Sequence, residues 1–278
     1  MDIFISADIE GLAGIVNARQ TSPTGPCYED GRLWMLEQVN AAIDGAFAGG
    51  ATRVVVKDAH GPGTNLRYHL LDPRAELISD WGPLSSMIEG ISGEFDALFL
   101  VGYHARAGSE LGTLAHSFNS RIRNITVNGV AMGEIGLNAA LAGSFGVRTA
   151  LIVSDSLGVD EARALVPGIE GVAVKEALSM TCARSLPRES VAAAIRQGAA
   201  RALEDLPRLT PLRHQYPAEM IVEWNDYQSA HLCSYVPGVE KLDASRIRFR
   251  SPDALALERI WRVCRMLNCA ASLTNTGY

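Results

Sequence analysis

The chain has 278 residues, 47% hydrophobic and 20% charged, with 25 Lys plus Arg against 31 Asp plus Glu. That length predicts one large or two modest domains, able to bury a core without covalent staples. The formal net charge of −6 excludes a general nucleic-acid binder, which needs a basic face, although it leaves room for a local basic pocket.

Five cysteines, Cys27, Cys182, Cys233, Cys264 and Cys269, are scattered and form no C-x-x-C pair. They read as reduced thiols, not as a disulfide framework or a zinc ribbon. The opening Met1-Asp2-Ile3-Phe4-Ile5 lacks the basic and apolar regions of a signal peptide. No apolar run approaches the roughly 18 residues that cross a bilayer. A cytoplasmic protein with no membrane partner is expected.

In chain order, Asp2 to Ala7 reads as a short strand. Tyr28 to Ala48 reads as a helix with Leu33, Leu36, Val39, Ile43 and Phe47 on an apolar face, stopped by Gly49-Gly50. Thr52 to Lys57 and Phe95 to Val101 are continuous apolar runs of the buried-strand type, with a helix expected between them near Leu84 to Gly90. Arg123 to Val127 is a strand and Asn128-Gly129 a turn. Gly133 to Gly143 is helical, Arg148 to Val153 a strand, Asp160 to Leu165 a short helix, and Pro187 to Leu206 a long one. Apolar strands alternating with helices predict a mainly parallel sheet flanked by helices on both faces, a Rossmann-like three-layer α/β domain over 1–210. After Pro207 and Pro211 the pattern changes. Glu219 to Trp224 and Arg246 to Arg250 are strands, and Ser251-Pro252-Asp253 opens a closing helix. That helix has Leu257, Ile260, Trp261, Cys264 and Leu267 on one face and Glu258, Arg262 and Arg265 on the other. This predicts a smaller α+β unit over 211–278, with a soft boundary that need not be continuous in sequence.

Three of these strands end in metal-type ligands. The first runs into Ser6-Ala7-Asp8-Ile9-Glu10-Gly11, the second into Lys57-Asp58-Ala59-His60-Gly61, the third into Gly102-Tyr103-His104-Ala105-Arg106. If the first strand persists, Asp8 and Glu10 share one side of it. In a parallel sheet all three ends emerge at the carboxyl edge, where open α/β sheets bind ligands. Adjacent carboxylates repel unless a cation or proton neutralises them. Two imidazoles with two or three carboxylates suit Zn²⁺, Mn²⁺ or Fe²⁺. Glu134, opening a helix, is a fifth candidate ligand in an electrostatically favourable first turn. Five ligands exceed one tetrahedral site and suit two divalent ions, with Asp8 the best bridge; such a pair activates one water and polarises one carbonyl. His116, in Leu114-Ala115-His116-Ser117-Phe118, is a candidate general acid or base if it faces the cluster. His69, His214 and His231 have no partner pattern and read as structural. No Walker loop, dinucleotide fingerprint or nucleophile elbow is present.

These motifs, with Ala115-His116-Ser117 and Gly133-Glu134-Ile135-Gly136-Leu137-Asn138, resemble the M55 family of zinc-dependent D-aminopeptidases over nearly the whole chain. The resemblance extends to Tyr28-Glu29, Gly31-Arg32-Leu33 and the closing helix. It implies that Asp8 bridges two zinc ions, Glu10 and His60 completing one site and His104 and Glu134 the other. It implies that His116 is the catalytic histidine. The expected substrate is a short D-amino-acid peptide, cleaved after its N-terminal residue. The expected partner is the chain itself, in a ten-subunit ring with the active sites inside. Ala7, Ile9, Leu12 and Ile135 vary the neighbours of the motif residues and not the ligands.

Three rivals are weighed. A metallophosphoesterase would explain Asp58-Ala59-His60-Gly61, but its Gly-Asp-x-x-Asp and Gly-Asn-His-Asp/Glu segments are missing. An amidase or L-peptide hydrolase would use the same ligands. A non-catalytic, metal-dependent peptide-binding or transport accessory protein would leave His116 without a role.

Overall fold

The computed structural model describes residues 1–82 and 87–274, with side chains through 271. In chain order the elements are β1 (Asp2–Ala7), α1 (Tyr28–Ala48), β2 (Arg53–Asp58), β3 (Glu76–Ile78), β4 (Ala97–Val101), β5 (Ile122–Val127) and β6 (Val130–Ala131). There follow α2 (Glu134–Ser144), β7 (Arg148–Asp155), α3 (Ser156–Leu165), β8 (Glu170–Ser179), β9 (Cys182–Ser185) and α4 (Arg188–Glu204). The chain closes with β10 (Ala218–Trp224), α5 (Tyr227–Cys233), β11 (Val239–Lys241), β12 (Arg246–Ser251) and α6 (Ala254–Thr274).

A seven-stranded sheet has the order β3-β2-β1-β4-β7-β8-β9. All its pairings are parallel except that of β8 with β9. Both faces are covered, as the unbroken apolar runs predict. Alternate strand residues such as Ile3, Ile5, Val54, Val56, Phe99 and Val153 pack with α1 and α4. Their neighbours Phe4, Val55, Leu98, Leu100 and Ile152 pack with α2 and α3 on the opposite face. The expected face of α1 holds at Leu36, Val39 and Ile43, which are buried, while Leu33 is exposed and Met35 takes its place in the core. The helix expected near Leu84 to Gly90 lies partly outside the described residues; Met87 to Gly90 form a turn.

A second, antiparallel sheet has the order β11-β12-β10-β5-β6. It therefore draws β5 and β6, residues 122–131, from the sequence before the expected 210/211 boundary. The physical reason is the hydrophobic pattern of the hairpin: Ile122, Ile125 and Val127 bury against Met220, Val222, Trp224, Ile247 and Trp261. The Asn128-Gly129 turn joins β5 to β6, with φ values of 50° and 79°, the left-handed pair that a two-residue hairpin of matching twist requires. Among the described residues no helix is long and apolar enough to cross a membrane.

The chain runs β1, β2, β3 outward on one side of the seven-stranded sheet, then returns to place β4 on the other side of β1. The carboxyl ends of β1 and β4 thus flank the topological switch point, where open sheets leave a crevice. Here the backbones nearly touch. The amide of Gly11 donates to the carbonyl of Gly102 at 2.7 Å, and that of Asp8 to the carbonyl of Val101 at 2.7 Å. A Cβ on Gly102 would stand 2.1 Å from the Asp8 carbonyl oxygen, and Gly102 has a φ of +81°, so both space and backbone demand glycine. Gly102→Ala is expected to cost about 3 kcal/mol or more and to displace the Asp8 loop. Urea unfolding measures the first effect and elemental analysis of bound metal the second; a variant with wild-type stability and metal content would show that this crossing is not required.

Candidate metal centre

Strand β1 ends at Ala7, so Asp8 and Glu10 converge through the turn that follows it and not through strand alternation. His60 follows β2 by two residues. His104 and His116 belong to the long connection from β4 to β5, and Glu134 is the first residue of α2. The return of the chain from the β5–β6 hairpin is what brings Glu134 back to the switch point. All six residues predicted for the site meet there.

His60 Nδ1 lies 3.1 Å from Asp8 Oδ1 and 3.1 Å from Glu10 Oε2. His104 Nε2 lies 3.6 Å from Asp8 Oδ2 and 3.7 Å from Glu134 Oε1. His116 Nε2 is 3.9 Å from Glu134 Oε1, and its ring stacks on that of His104 at 4.2 Å and 15°. Each imidazole turns its other nitrogen to a backbone carbonyl: His60 Nε2 to Thr21 at 2.8 Å, His104 Nδ1 to Ala105 at 3.0 Å and His116 Nδ1 to Leu114 at 2.7 Å. A carbonyl only accepts, so those nitrogens carry the hydrogens. In the neutral rings the lone pairs then all point inward at carboxylate oxygens. Lone pair facing lone pair is unfavourable without a positive charge between them, and the carbonyl-fixed tautomer is what metal-binding histidines use.

Two atoms test the fit further. Asp8 Oδ2 and His104 Nε2 are buried and have no hydrogen-bond partner among the described residues. Buried polar atoms without partners are costly, and these two face each other. Ligand atoms of Asp8, Glu10 and His104, and again of His104, His116 and Glu134, lie within 4.8 Å of one another. The donor set, oxygen and imidazole with no thiolate, fits a divalent cation of the zinc, manganese or iron kind.

The electrostatics agree. Burial, reinforced by Glu10, holds the Asp8 carboxyl well above its usual range. Burial would raise Glu10 as well, but His60 outweighs it and Glu10 stands well below its usual range. Burial and the nearby His116 lower His104. Burial also works to lower His116, yet Glu134 and Glu10 raise it above the ordinary imidazole value.

The surrounding residues hold the loops in place. Asp58, two residues before His60, does not join the cluster. Its oxygens accept from the amides of Asn65 and Leu66 at 2.5 and 2.7 Å and from Asn65 Nδ2 at 2.7 Å, which curls the loop that carries His60. Lys175, buried on β8, donates to the carbonyls of Glu10 and Ile15 at 2.5 and 2.6 Å and pins the other loop. Burial brings this lysine down to about 8. Phe118 donates its amide to Glu134 Oε1 at 2.5 Å from a left-handed conformation, φ 62°, and Leu114 is left-handed too, φ 54°. Two such residues on either side of His116 mark a loop held in a strained shape, as functional loops are.

A cavity of about 790 Å³ opens over Asp8, Glu10, His60, His116 and Glu134, walled by Trp81, Met87 and Phe118 and by Arg262, Arg265 and Met266 of α6. A second cavity, about 530 Å³, shares Glu10, His116 and Asn119 and lies towards Leu114, Met180 and Asn225. Sequence reasoning missed Lys175, Phe118 and Trp81. A lysine inside an apolar strand was a signal for the first; the other two carried none. It placed Arg262 and Arg265 together on the polar face of the closing helix, and that face is a wall of the cavity. Trp224 and Trp261 are core, and His69, His214 and His231 are not among the residues that line either cavity.

The fold and the donor set define a metal-dependent enzyme with an open-sheet active site. The peptidase M55 model, described as D-aminopeptidase, matches residues 1–263, and the chain belongs to that family of metallo-aminopeptidases. It is 32% identical over 256 residues to a D-aminopeptidase of Bacillus subtilis (strain 168), covering 92% of this chain and 93% of the relative. It is similar over the full length of both chains, at 30% identity and a TM-score of 0.95, to the structure described as the Zn-dependent D-aminopeptidase DppA from Bacillus subtilis, a self-compartmentalizing protease.

A pH dependence follows from His60. Burial lowers its basicity, but Glu10 and Asp8 more than reverse this, so without metal the imidazole keeps its proton above the ordinary range. A cation held by His60 would have to displace that proton. Metal affinity is expected to rise with pH through the raised His60 value, with protons released on binding. Calorimetric titration of stripped protein with zinc, in two buffers of different ionisation enthalpy between about pH 6 and about pH 8, reads both; a pH-independent affinity without proton release would contradict it.

Proposed function

We propose that the enzyme releases the N-terminal residue from short D-configured peptides using two divalent ions, zinc foremost, with Mn²⁺ or Fe²⁺ admitted by the same donors. Asp8, Glu10 and His60 would hold one ion, Asp8, His104 and Glu134 the other, and His116 would serve as catalytic acid or base. One observation carries this reading: the two oxygens of Asp8 face different imidazoles, Oδ1 towards His60 and Oδ2 towards His104, as a bridging carboxylate must. The name of the related structure supports zinc, and the names of the family and both relatives support D-configured substrates.

When bound, the ion pair supplies an activated water and a polarised scissile carbonyl. The remaining work falls to side chains. The His116 side chain is 25% exposed against 11% for His60 and 1% for His104, so it is the most open of the three imidazoles to substrate. Its Nδ1 is fixed on the Leu114 carbonyl, which leaves Nε2 to exchange a proton with the departing amine or to stabilise the developing oxyanion. Phe118 holds Glu134 through its backbone amide and shields the site with its ring. The carboxylates attract the substrate's α-ammonium, which favours cleavage at the amino end. The self-compartmentalizing relative supports a homo-oligomer here, read as the ten-membered ring that the family resemblance implies. Among the described residues the cysteines form no disulfide, which supports a cytoplasmic location.

Hydrolysis of D-Ala-D-Ala against L-Ala-L-Ala, with chelator and with zinc added back, tests the reading. Chelator-sensitive release from the D-peptide is the expected result. Preference for the L-peptide would favour the L-peptide hydrolase, and binding without release the accessory protein.

His116→Ala is expected to retain two metal ions per chain and to lose about 10²–10⁴-fold in kcat, the usual range for a general acid or base. Elemental analysis and steady-state kinetics on one preparation decide it. Loss of one ion would make His116 a ligand, and full activity would remove it from the mechanism.

A further inference from the structure

We infer that Arg262 and Arg265 of α6 form a subsite for the free C-terminal carboxylate of the peptide, which makes dipeptides and tripeptides the preferred substrates. This inference rests on the peptidase reading above.

The two arginines are three residues apart and so lie on one face of the helix. Both line the cavity that contains Asp8, Glu10, His60, His116 and Glu134, and among the described residues no other Lys or Arg lines it. The wall around them is apolar, with Met87, Phe118, Met266 and Ala270. Arg265 is rigidly placed. Its guanidinium sits 4.4 Å from the Phe118 ring centroid and 5.6 Å from that of Trp261, and it is paired with Glu258 at 2.9 Å. Stacking of this kind orients the planar fork that suits carboxylates. The same Phe118 gives its backbone amide to Glu134, so one residue fixes both the cationic wall and a carboxylate of the metal centre.

The two guanidiniums are close enough that Arg262, after burial, lowers Arg265, while Glu258 and Glu134 act in the opposite sense. Beside the ion pair of Arg265 with Glu258, the two guanidiniums place positive charge on an otherwise apolar wall, which favours an anion there. The cavity lining is thus polarised, carrying carboxylates and imidazoles on one part and guanidiniums on another. A short peptide is polarised in the complementary way, ammonium at one end and carboxylate at the other. Each residue of extended chain spans about 3.3–3.6 Å. In a dipeptide the carboxylate stands one residue beyond the scissile bond. Each further residue carries it one span away, and the rate should fall accordingly.

The test compares D-Ala-D-Ala with its C-terminal amide, and with the D-Ala trimer and tetramer, on the zinc-loaded enzyme. The wild type should prefer the free acid by about tenfold or more in kcat/KM, the worth of one charge-assisted hydrogen bond. Arg262→Gln should bring the acid-to-amide ratio close to one, by raising KM for the acid more than for the amide. Arg262→Lys should restore part of the preference. Because Arg265 packs on two rings, Arg265→Lys is used there in place of truncation, and thermal melts report the fold of each variant. Equal kinetics for acid and amide in the wild type, or a preference unchanged in Arg262→Gln, would overturn the subsite and leave the aminopeptidase reading standing. Failure of the wild type to cleave any of the four peptides would overturn that reading and the inference with it.

Discussion

Asp8, Glu10 and Glu134 are buried side by side at the switch point of the sheet. In such a medium like charges repel far more strongly than in water. Two buried lysines lie nearby, yet neither neutralises them. Lys175 donates to backbone carbonyls of the Glu10 loop, and Lys57 donates to the carbonyls of Asp58 and Asp80 while lying 4.7 Å over the Trp81 ring. The three imidazoles are turned by backbone carbonyls so that their free nitrogens face the acids. Everything around the cluster holds negative oxygens and lone pairs together, an arrangement that suits divalent cations.

The scaffold meets this demand by geometry more than by local chemistry. A parallel sheet delivers the ends of β1, β2 and β4 to one edge, and the crossing of Gly11 and Gly102 lets two of the loops touch. The second sheet adds the remaining pieces. The connection leaving β4 carries His104 and then His116 on its way to β5, and the hairpin returns the chain to start α2 at Glu134. Helix α6, whose apolar face packs on the second sheet, turns its arginines into the cavity. Phe118 joins the two, giving its amide to Glu134 of the cluster and its ring to Arg265 of the cationic wall.

Much of this was legible in the sequence, because the physics that writes it is local. The continuous runs at Val54-Val55-Val56 and Ala97 to Val101 can only be strands covered on both faces. The helix over Tyr28 to Ala48 follows from its apolar spacing and its terminal glycines. The hairpin β8–β9 was not read from the sequence, since only Val172, Val174 and Lys175 of it are buried and its apolar alternation is weak. Nor was the membership of β5 and β6 in the second sheet, because a strand does not record its partner when both candidate neighbours offer an apolar face.

The sequence by itself determined which residues could carry the chemistry. An acid or imidazole after one buried strand can be structural, as Asp58 is, but several such strand ends at one edge of a parallel sheet point to a site. Only the tertiary structure decided how they are used. It assigned the two oxygens of Asp8 to different histidines, withdrew Asp58 to cap its own loop, left His116 the most open of the three rings, and made the polar face of α6 a wall of the cavity. Apart from the Asp58 loop, those outcomes depend on contacts between segments well separated along the chain, where side-chain direction is set by packing and hydrogen bonding rather than by sequence neighbours.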